Sequence, residues 1–225
     1  MKSPQLILAS RSVGRKELLE QLGVAFEVKI STIDEQSITD SNHFVTIQKR
    51  SHAKANDVAN RHSGKSASWR THPESRSWTH FDYSAQGQDD LSSTPSLILA
   101  ADSGAILDSE LFGKPKNKED AFRIITRLSG RTHILATAMT VMEINGKTIK
   151  TVHDSITQTA VTFKNTTEPE RRAYTNRYDL TRFAGAYALN VTPWDLITKI
   201  EGSYTNVIGL PFEKLLPVLT SFRVI

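Results

Sequence analysis

The sequence predicts an α/β fold in which a mixed central β-sheet is flanked by helices. Short apolar runs alternate with amphipathic stretches along most of the 225 residues, as they do where strands and helices are interleaved. Two alternating segments, 132–144 and 147–163, flank Asn145-Gly146, which is a strong hairpin signal. Interleaved helices favour parallel strands and the hairpin requires an antiparallel pair, so the predicted sheet is mixed.

The first part of the chain is predicted to form two strands and two helices. In order, these are a strand over 6–9, a helix that buries Leu18, Leu19 and Leu22 and stops near Gly23, a strand over 25–30 and a helix over 44–59. On the second helix one face is expected to carry Val45, Gln48, His52, Ala55 and Ala59. Lys54 is expected to project away from that face.

Regular elements return after residue 96. A strand over 97–101 is expected to place Asp102 at its carboxyl end, the edge at which open α/β sheets bind ligands. Later helices carry start signals, because Asn117 can act as an N-cap and Thr167 opens a capping box. The remaining predicted elements are a helix from Asn117 to Leu128, the hairpin, a helix to about Tyr178, a strand near 195–200 and a helix from Phe212 to Leu219.

Residues 61–96 interrupt this pattern. Among Val, Ile, Leu and Met they contain only Leu91, and their basic and acidic side chains cancel. Such a polar segment cannot bury enough apolar surface to offset its chain entropy. We therefore expect a single domain over 1–225 with residues 61–96 as an inserted, flexible loop.

The composition excludes several classes of protein. Without cysteine the chain has no disulfide, thiolate metal site or cysteine nucleophile. No segment has the apolar length of a signal peptide or a membrane span, so a cytoplasmic protein is expected. The net charge of +4 is spread along the chain and does not by itself indicate nucleic acid. The histidines lack metal-ligand spacing and are expected to be incidental, and no P-loop motif is present.

The turn at residues 10–15 is the first candidate site. It contains Ser10, Ser12 and Gly14, and Arg15 follows in the first helical turn. The free N–H groups and dipole of a helix N-terminus attract anions, and a guanidinium can hold a phosphate through two parallel hydrogen bonds. The same residues also fit an ordinary serine-capped turn, which is the commoner structure.

Five further segments follow this turn: LILAADSG at 97–104, Gly-Lys-Pro at 113–115, LSGRTH at 128–133, Ala-Gly-Ala-Tyr at 184–187 and IEGSYTNVIGLP at 200–211. In this order they resemble the Maf family of nucleoside triphosphate pyrophosphatases, over about residues 5–57 and 97–220. Each piece is weak alone, but six collinear pieces are hard to obtain by chance. The resemblance implies an α/β fold with two lobes around a cleft.

The resemblance also implies roles for particular residues. Asp102 would be the general base and a metal ligand, with Glu35 as the second carboxylate on Mg²⁺ or Mn²⁺. The residues that would bind the triphosphate are Ser10, Ser12, Arg15, Lys54 and Lys114. The implied reaction cleaves a nucleoside triphosphate between the α- and β-phosphates and yields a monophosphate and pyrophosphate. A homodimer is expected.

Three positions with which the family selects its base differ here. Ser103 and Asn190 stand where the family has Thr and Gln, which keeps the polar type and favours dTTP or UTP. Gly14 removes a long side chain, so relaxed base selectivity is expected. Phe183 replaces a lysine, with Arg182 adjacent, which leaves a non-catalytic nucleotide-binding regulator of cell division as the alternative. Nucleic-acid binding is a third hypothesis, based on the pI of 9.3 and the two tryptophans of segment 61–96.

Overall fold

The computed structural model describes residues 3–64, 95–192 and 196–225. The strands within them are β1 (Gln5–Leu8), β2 (Phe26–Val28), β3 (Ser96–Leu107), β4 (Glu110–Phe112), β5 (Thr132–Asn145), β6 (Thr148–Phe163) and β7 (Ile197–Glu201). They form one sheet in the order β2-β1-β3-β5-β6-β7, and β4 pairs with β3. The strand β1 is parallel to its two neighbours and the other pairs are antiparallel. The predicted α/β class and mixed sheet are confirmed.

Helices connect these strands and begin mostly at side-chain caps. The helices are α1 (Val13–Gln21), α2 (His43–His62), α3 (Lys118–Leu128), α4 (Glu168–Arg177), α5 (Tyr204–Ile208) and α6 (Phe212–Ser221). The predicted cap at Asn117 and the capping box of Thr167 with Glu170 are both present. The elements β4 and α5 were not predicted, because they are too short to show a period. Over the described ranges, no helix combines the length and apolarity needed to cross a bilayer.

Helices cover both faces of the central strands. Leu6 and Leu8 of β1 pack with residues of α1 and α6, whereas Ile7 packs with residues of α2. The same alternation occurs along β3, where Leu97 joins the first cluster and Ile98 the second. Both strands are continuous apolar runs in the sequence because both of their faces are covered.

Asp102 lies within β3 and not at its carboxyl end, so that part of the prediction was wrong. The strand continues to Leu107 because residues beyond Asp102 stay paired with β5. Parallel pairing with β1 ends at Leu99, however, and β4 joins only from Ala105. Around Asp102 one edge of β3 therefore has no strand beside it among the described residues, and the candidate site occupies this gap.

The buried face of α2 also differs from the predicted one. Lys54 and Ser51 are buried, with 6% and 0% of their surfaces exposed, whereas Gln48 is exposed and Val45 and His52 are partly buried. The hydroxyl of Ser51 hydrogen-bonds a carbonyl of β3 and a hydroxyl of β5. Because α2 presents polar side chains to the sheet, apolarity alone does not identify its inner face.

Regular structure extends into the predicted insertion, 61–96, at both ends. α2 continues through His62, and β3 begins at Ser96. The ring of His62 connects these elements, with Nε2 3.1 Å from Ser96 Oγ and Nδ1 2.8 Å from Lys29 Nζ. Residues 65–94 lie outside the described residues, so their assignment as an insertion stays a prediction.

Replacing residues 65–94 with a short Gly/Ser linker is expected to leave the Tm within about 3 °C of the wild type. A doubling of loop length costs only about 0.6 kcal/mol, and about 1 kcal/mol shifts the Tm of a domain of this size by 2–4 °C. Scanning calorimetry of the two proteins measures the difference. An unfolded or strongly destabilised product would show that this segment contributes side chains to the core.

Candidate active site

Arg15 is buried beneath the site and is held by the protein itself. Its Nε donates to the Gly209 carbonyl at 2.9 Å. One terminal nitrogen donates to the Ser10 hydroxyl at 3.0 Å and the Ala101 carbonyl at 2.8 Å, and the other to the Ser103 hydroxyl at 2.9 Å. Four of its five N–H groups are thus used within the protein. In this conformation the predicted pair of parallel bonds to a phosphate is not available.

The serine-capped turn is present. Ser12 caps α1 by accepting a hydrogen bond from the Arg15 backbone N–H at 3.4 Å, and Ser10 Oγ accepts one from the Ser12 backbone N–H at 3.1 Å. The hydroxyl of Ser103 also lies 2.9 Å from the Thr137 hydroxyl. These hydroxyls order the turn around Arg15. The segment therefore forms the serine-capped turn, the commoner of the two structures that its sequence fits.

Lys54 lies between the two predicted metal ligands. Its Nζ is 2.7 Å from Asp102 Oδ1 and 2.7 Å from Glu35 Oε2, and it also donates to the Ala101 carbonyl at 3.4 Å. Its three N–H groups therefore have three acceptors. The side chains of Lys54 and Asp102 are 8% and 9% exposed, whereas that of Glu35 is 45% exposed. The structure brings these three candidates together at the gap beside β3.

The two carboxyl groups have different proton affinities. Burial raises the pKa of Asp102 above its usual range, and the charge of Glu35 acts in the same direction, against Lys54 and Arg15. Burial alone would also raise the pKa of Glu35, but the ammonium groups of Lys54 and Lys114 hold that pKa below its usual value. Asp102 is therefore the better proton acceptor, as a general base must be.

A second part of the cleft comes from the loop between α4 and β7. The Gly185 N–H donates to the Gly113 carbonyl at 3.0 Å, which joins the Ala-Gly-Ala-Tyr motif to the turn that carries Lys114. Gly185 has a φ of +72°, and a Cβ there would lie 2.9 Å from the Tyr187 ring, so this position requires glycine. The side chains that line the cleft include Arg15, Lys54, Asp102, Lys114, Phe183 and Asn190. Partial burial of its ammonium group and the charge of Arg15 lower the pKa of Lys114.

The predicted base-selecting positions Gly14 and Asn190 lie at the α1 side of this cleft. The Asn190 amide donates to the Glu17 carboxylate. A Cβ on Gly14 would lie 3.0 Å from the Ile208 side chain and 3.1 Å from its carbonyl oxygen. The absence of a side chain at Gly14 therefore permits a close approach of α5 and does not simply leave open space.

Two buried side chains that sequence reasoning missed support the cleft. His133, expected to be incidental, has its Nε2 2.8 Å from the Tyr187 hydroxyl, and both rings meet Phe163 edge to face. Burial lowers the pKa of His133 to about 4, so at neutral pH it is uncharged. Asn206 is fully buried and donates to a carbonyl of β5 and a hydroxyl of β6. His133 and Tyr187 each end one of the collinear motifs, and this shared position is the sequence signal from which their contact could have been predicted.

Glu35 and Asp102 have the chemistry of ligands for a divalent cation. Hard cations prefer oxygen ligands, and Mg²⁺ is commonly held by one or two carboxylates together with substrate phosphates and water. Within the described part of the chain, no cluster of three or more His, Asp or Glu residues forms a complete site. The protein can supply two carboxylates, and the remaining ligands would come from substrate and solvent.

The fold and site define an α/β protein with a buried carboxylate–lysine cluster in a cleft lined by basic side chains. The family described as Maf-like protein matches residues 5–222, so the chain belongs to this family and the resemblance inferred from its motifs is confirmed.

Curated relatives match over nearly the whole chain. The dTTP/UTP pyrophosphatase of Treponema denticola is 31% identical over 98% of this chain and 99% of that protein. The corresponding proteins of Myxococcus xanthus and Thermosipho africanus are 32% and 33% identical, over 95% and 96% of this chain and 90% and 92% of their own lengths.

Proposed function

We propose that this protein is a nucleoside triphosphate pyrophosphatase that converts dTTP or UTP to the monophosphate and pyrophosphate. The observation that carries the proposal is the buried Asp102 carboxylate, whose pKa is raised and whose Oδ1 lies 2.7 Å from Lys54 Nζ. The names of the relatives, dTTP/UTP pyrophosphatase, support the same activity.

The residues of the cleft divide the work of this reaction. Lys114 and Lys54 place positive charge where the triphosphate would bind, which lowers the cost of bringing its negative charge into the cleft. Asp102 accepts the proton of the attacking water, whose oxygen bonds to one of the two phosphorus atoms that flank the α,β-bridging oxygen. The bond from that phosphorus to the bridging oxygen breaks, and the monophosphate and pyrophosphate separate. Arg15 fixes the first turn to β3 and to the loop at Gly209, and so acts on the reaction by positioning.

Metal dependence belongs to this proposal. Glu35 and Asp102 are the residues that would hold Mg²⁺ or Mn²⁺, whose role when bound is to offset the charge that develops on the phosphates. The non-catalytic alternative is not favoured, because the base and the lysine line one cleft and the second carboxylate lies 2.7 Å from that lysine. The tryptophans behind the nucleic-acid hypothesis lie outside the described residues. A cytoplasmic location and a homodimer stay predictions.

The test is release of pyrophosphate from a panel of triphosphates, with Mg²⁺, with Mn²⁺ and with a chelator. We expect turnover of dTTP and UTP that is lost with the chelator. Nucleotide binding without pyrophosphate release under any condition would overturn the enzymatic assignment in favour of the regulator.

The pH dependence of this activity follows from Asp102. Because burial raises the pKa of its carboxyl, the base form is lost at a higher pH than for an exposed aspartate. We expect kcat/KM to fall as the pH decreases through this raised pKa, and the residual activity of Asp102→Asn to lack this decrease. A pH–rate profile of both proteins checks the result, and an unchanged profile in the variant would assign the acid limb to another group.

Base selection is proposed to depend on how Asn190 is held. A carboxylate only accepts hydrogen bonds, so Glu17 fixes the Asn190 amide with its NH₂ group toward Glu17. The amide oxygen then stays an acceptor for the ring N–H that uracil and thymine carry and cytosine lacks. Since Ile208 lies close to Gly14, the expected relaxed selectivity rests mainly on the shorter side chains of Ser103 and Asn190.

Glu17→Gln is expected to reduce the preference for UTP over CTP by about 2- to 13-fold, since one hydrogen bond is worth about 0.5–1.5 kcal/mol. Glutamine can donate as well as accept a hydrogen bond, so it allows the Asn190 amide to flip and place its NH₂ group where its oxygen was. The measurement is kcat/KM for UTP, dTTP and CTP. Glu20→Gln is the matched control, because Glu20 lies on the same helix and pairs with Lys16 at 3.4 Å. Equal preferences in all three proteins would show that Glu17 has no part in reading the base.

A further inference from the structure

Lys54 occupies the position between two carboxylates that a shared cation would take. Its Nζ lies 2.7 Å from an oxygen of each, and both Lys54 and Asp102 are nearly inaccessible to solvent. On this geometry, and resting on the proposed function, we propose that Lys54 substitutes for the divalent cation in the nucleotide-free enzyme. It exchanges the carboxylates for phosphate oxygens when the nucleotide binds, so that metal and nucleotide bind cooperatively.

The charges of the cluster give the first argument. The negative charges of Asp102 and Glu35 are already matched by Lys54 and Arg15, and Lys114 adds a further positive charge nearby. A divalent cation that entered alone would leave excess positive charge in a largely buried cluster, which is unfavourable. The triphosphate brings the negative charge that removes this excess. The protein therefore disfavours the metal alone and favours the metal together with nucleotide.

The mobility of the side chains gives the second argument. Arg15 cannot exchange partners freely, because four of its N–H groups hold the turn, β3 and the loop at Gly209. Lys54 has a flexible four-carbon stem and ion-pair partners only at its tip, so its ammonium can change acceptors without moving α2. The backbone of α2 is anchored near it by Ser51, which bonds a carbonyl of β3. Of Arg15 and Lys54, Lys54 is thus the cation that can exchange its carboxylate partners for phosphate oxygens.

The test measures Mn²⁺ binding, by electron paramagnetic resonance of the free ion, with and without a non-hydrolysable α,β-methylene pyrimidine triphosphate. In the wild type we expect Mn²⁺ to bind at least about tenfold more tightly with the analogue than without it, and Mn²⁺ to tighten analogue binding by the same factor. Lys54→Met is expected to tighten nucleotide-free Mn²⁺ binding by about tenfold or more and to reduce this coupling. Lys54→Arg, which keeps the charge, should retain weak nucleotide-free binding.

Lys49→Met is the matched control, because Lys49 lies on the same helix and pairs with Asp40 at 2.8 Å. It should bind Mn²⁺ as the wild type does. If circular dichroism shows that Lys54→Met does not fold, the test rests on the wild type alone. The measured quantity is then the factor by which Mn²⁺ and the analogue tighten each other's binding. Equal Mn²⁺ affinities of the wild type with and without the analogue, or weak nucleotide-free binding that persists in folded Lys54→Met, would overturn the inference. Metal-dependent pyrophosphate release in the same protein would then leave the proposed function standing.

Discussion

Asp102→Asn is expected to lower kcat/KM for pyrophosphate release by about 10²–10⁴-fold, the range typical of the loss of a general base. Asparagine has the same shape, and its oxygen can still accept the hydrogen bond that Lys54 donates at 2.7 Å. It cannot accept the proton of water, and it places no negative charge on a metal. The effect should therefore fall on the rate of single-turnover hydrolysis more than on triphosphate binding.

The stability of this variant separates a chemical role from a structural one. Because the folded-state pKa of Asp102 is raised, the carboxylate costs stability at neutral pH, and this cost disappears as the pH falls through the raised pKa. The substitution removes the cost, and Lys54 keeps its ion pair with Glu35. We therefore expect no decrease in Tm. Asp154→Asn is the control, since Asp154 accepts a hydrogen bond from Thr140 at 2.6 Å and should keep full activity as asparagine. Near-normal turnover by a folded Asp102→Asn protein would assign the proton to another acceptor.

Local signals account for the parts of the fold that could be predicted. The helix α3 follows from the Asn117 cap and a buried face at helical spacing, and the β5–β6 hairpin follows from Asn145-Gly146 between alternating segments. Neither depends on distant contacts. The inner face of α2 could not be predicted, because its buried lysine is matched by carboxylates that lie far away in the sequence.

In the candidate site, too, local sequence predicted some features, whereas others depend on contacts between distant parts of the chain. The site's residues could be selected because they lie in collinear motifs, but their contacts could not be inferred. Arg15 bonds the carbonyl of Gly209, 194 residues further along the chain, and no spacing rule indicates that pair. Asp102 was placed at a strand end because the apolar run stops there, whereas pairing with β5 continues the strand. The partners that determine each role belong to the tertiary structure.

Arg15→Ala is expected to lower the free energy of unfolding by about 3 kcal/mol or more, because buried groups left without a partner cost about 1–3 kcal/mol each. The carbonyl of Gly209 would lose its donor, that of Ala101 would keep only the 3.4 Å hydrogen bond from Lys54, and the first turn would lose its connection to β3. For a domain of this size the Tm should fall by about 6–12 °C. Calorimetry and denaturant unfolding of the nucleotide-free proteins measure both quantities.

This prediction distinguishes a positioning role for Arg15 from the phosphate grip that its place at a helix N-terminus suggests. A residue that only bound phosphate would, when removed, weaken triphosphate binding and leave the Tm of the free protein unchanged. Arg11→Ala is the matched control, since Arg11 lies in the same turn but is exposed, and it should retain the wild-type Tm. Arg15→Lys keeps the positive charge without the planar fork of donors. Compared with Arg15→Ala, it should therefore recover little of the lost stability. An Arg15→Ala protein that melts with the wild type and binds triphosphate weakly would contradict the positioning role, because the four hydrogen bonds would then contribute nothing to folding.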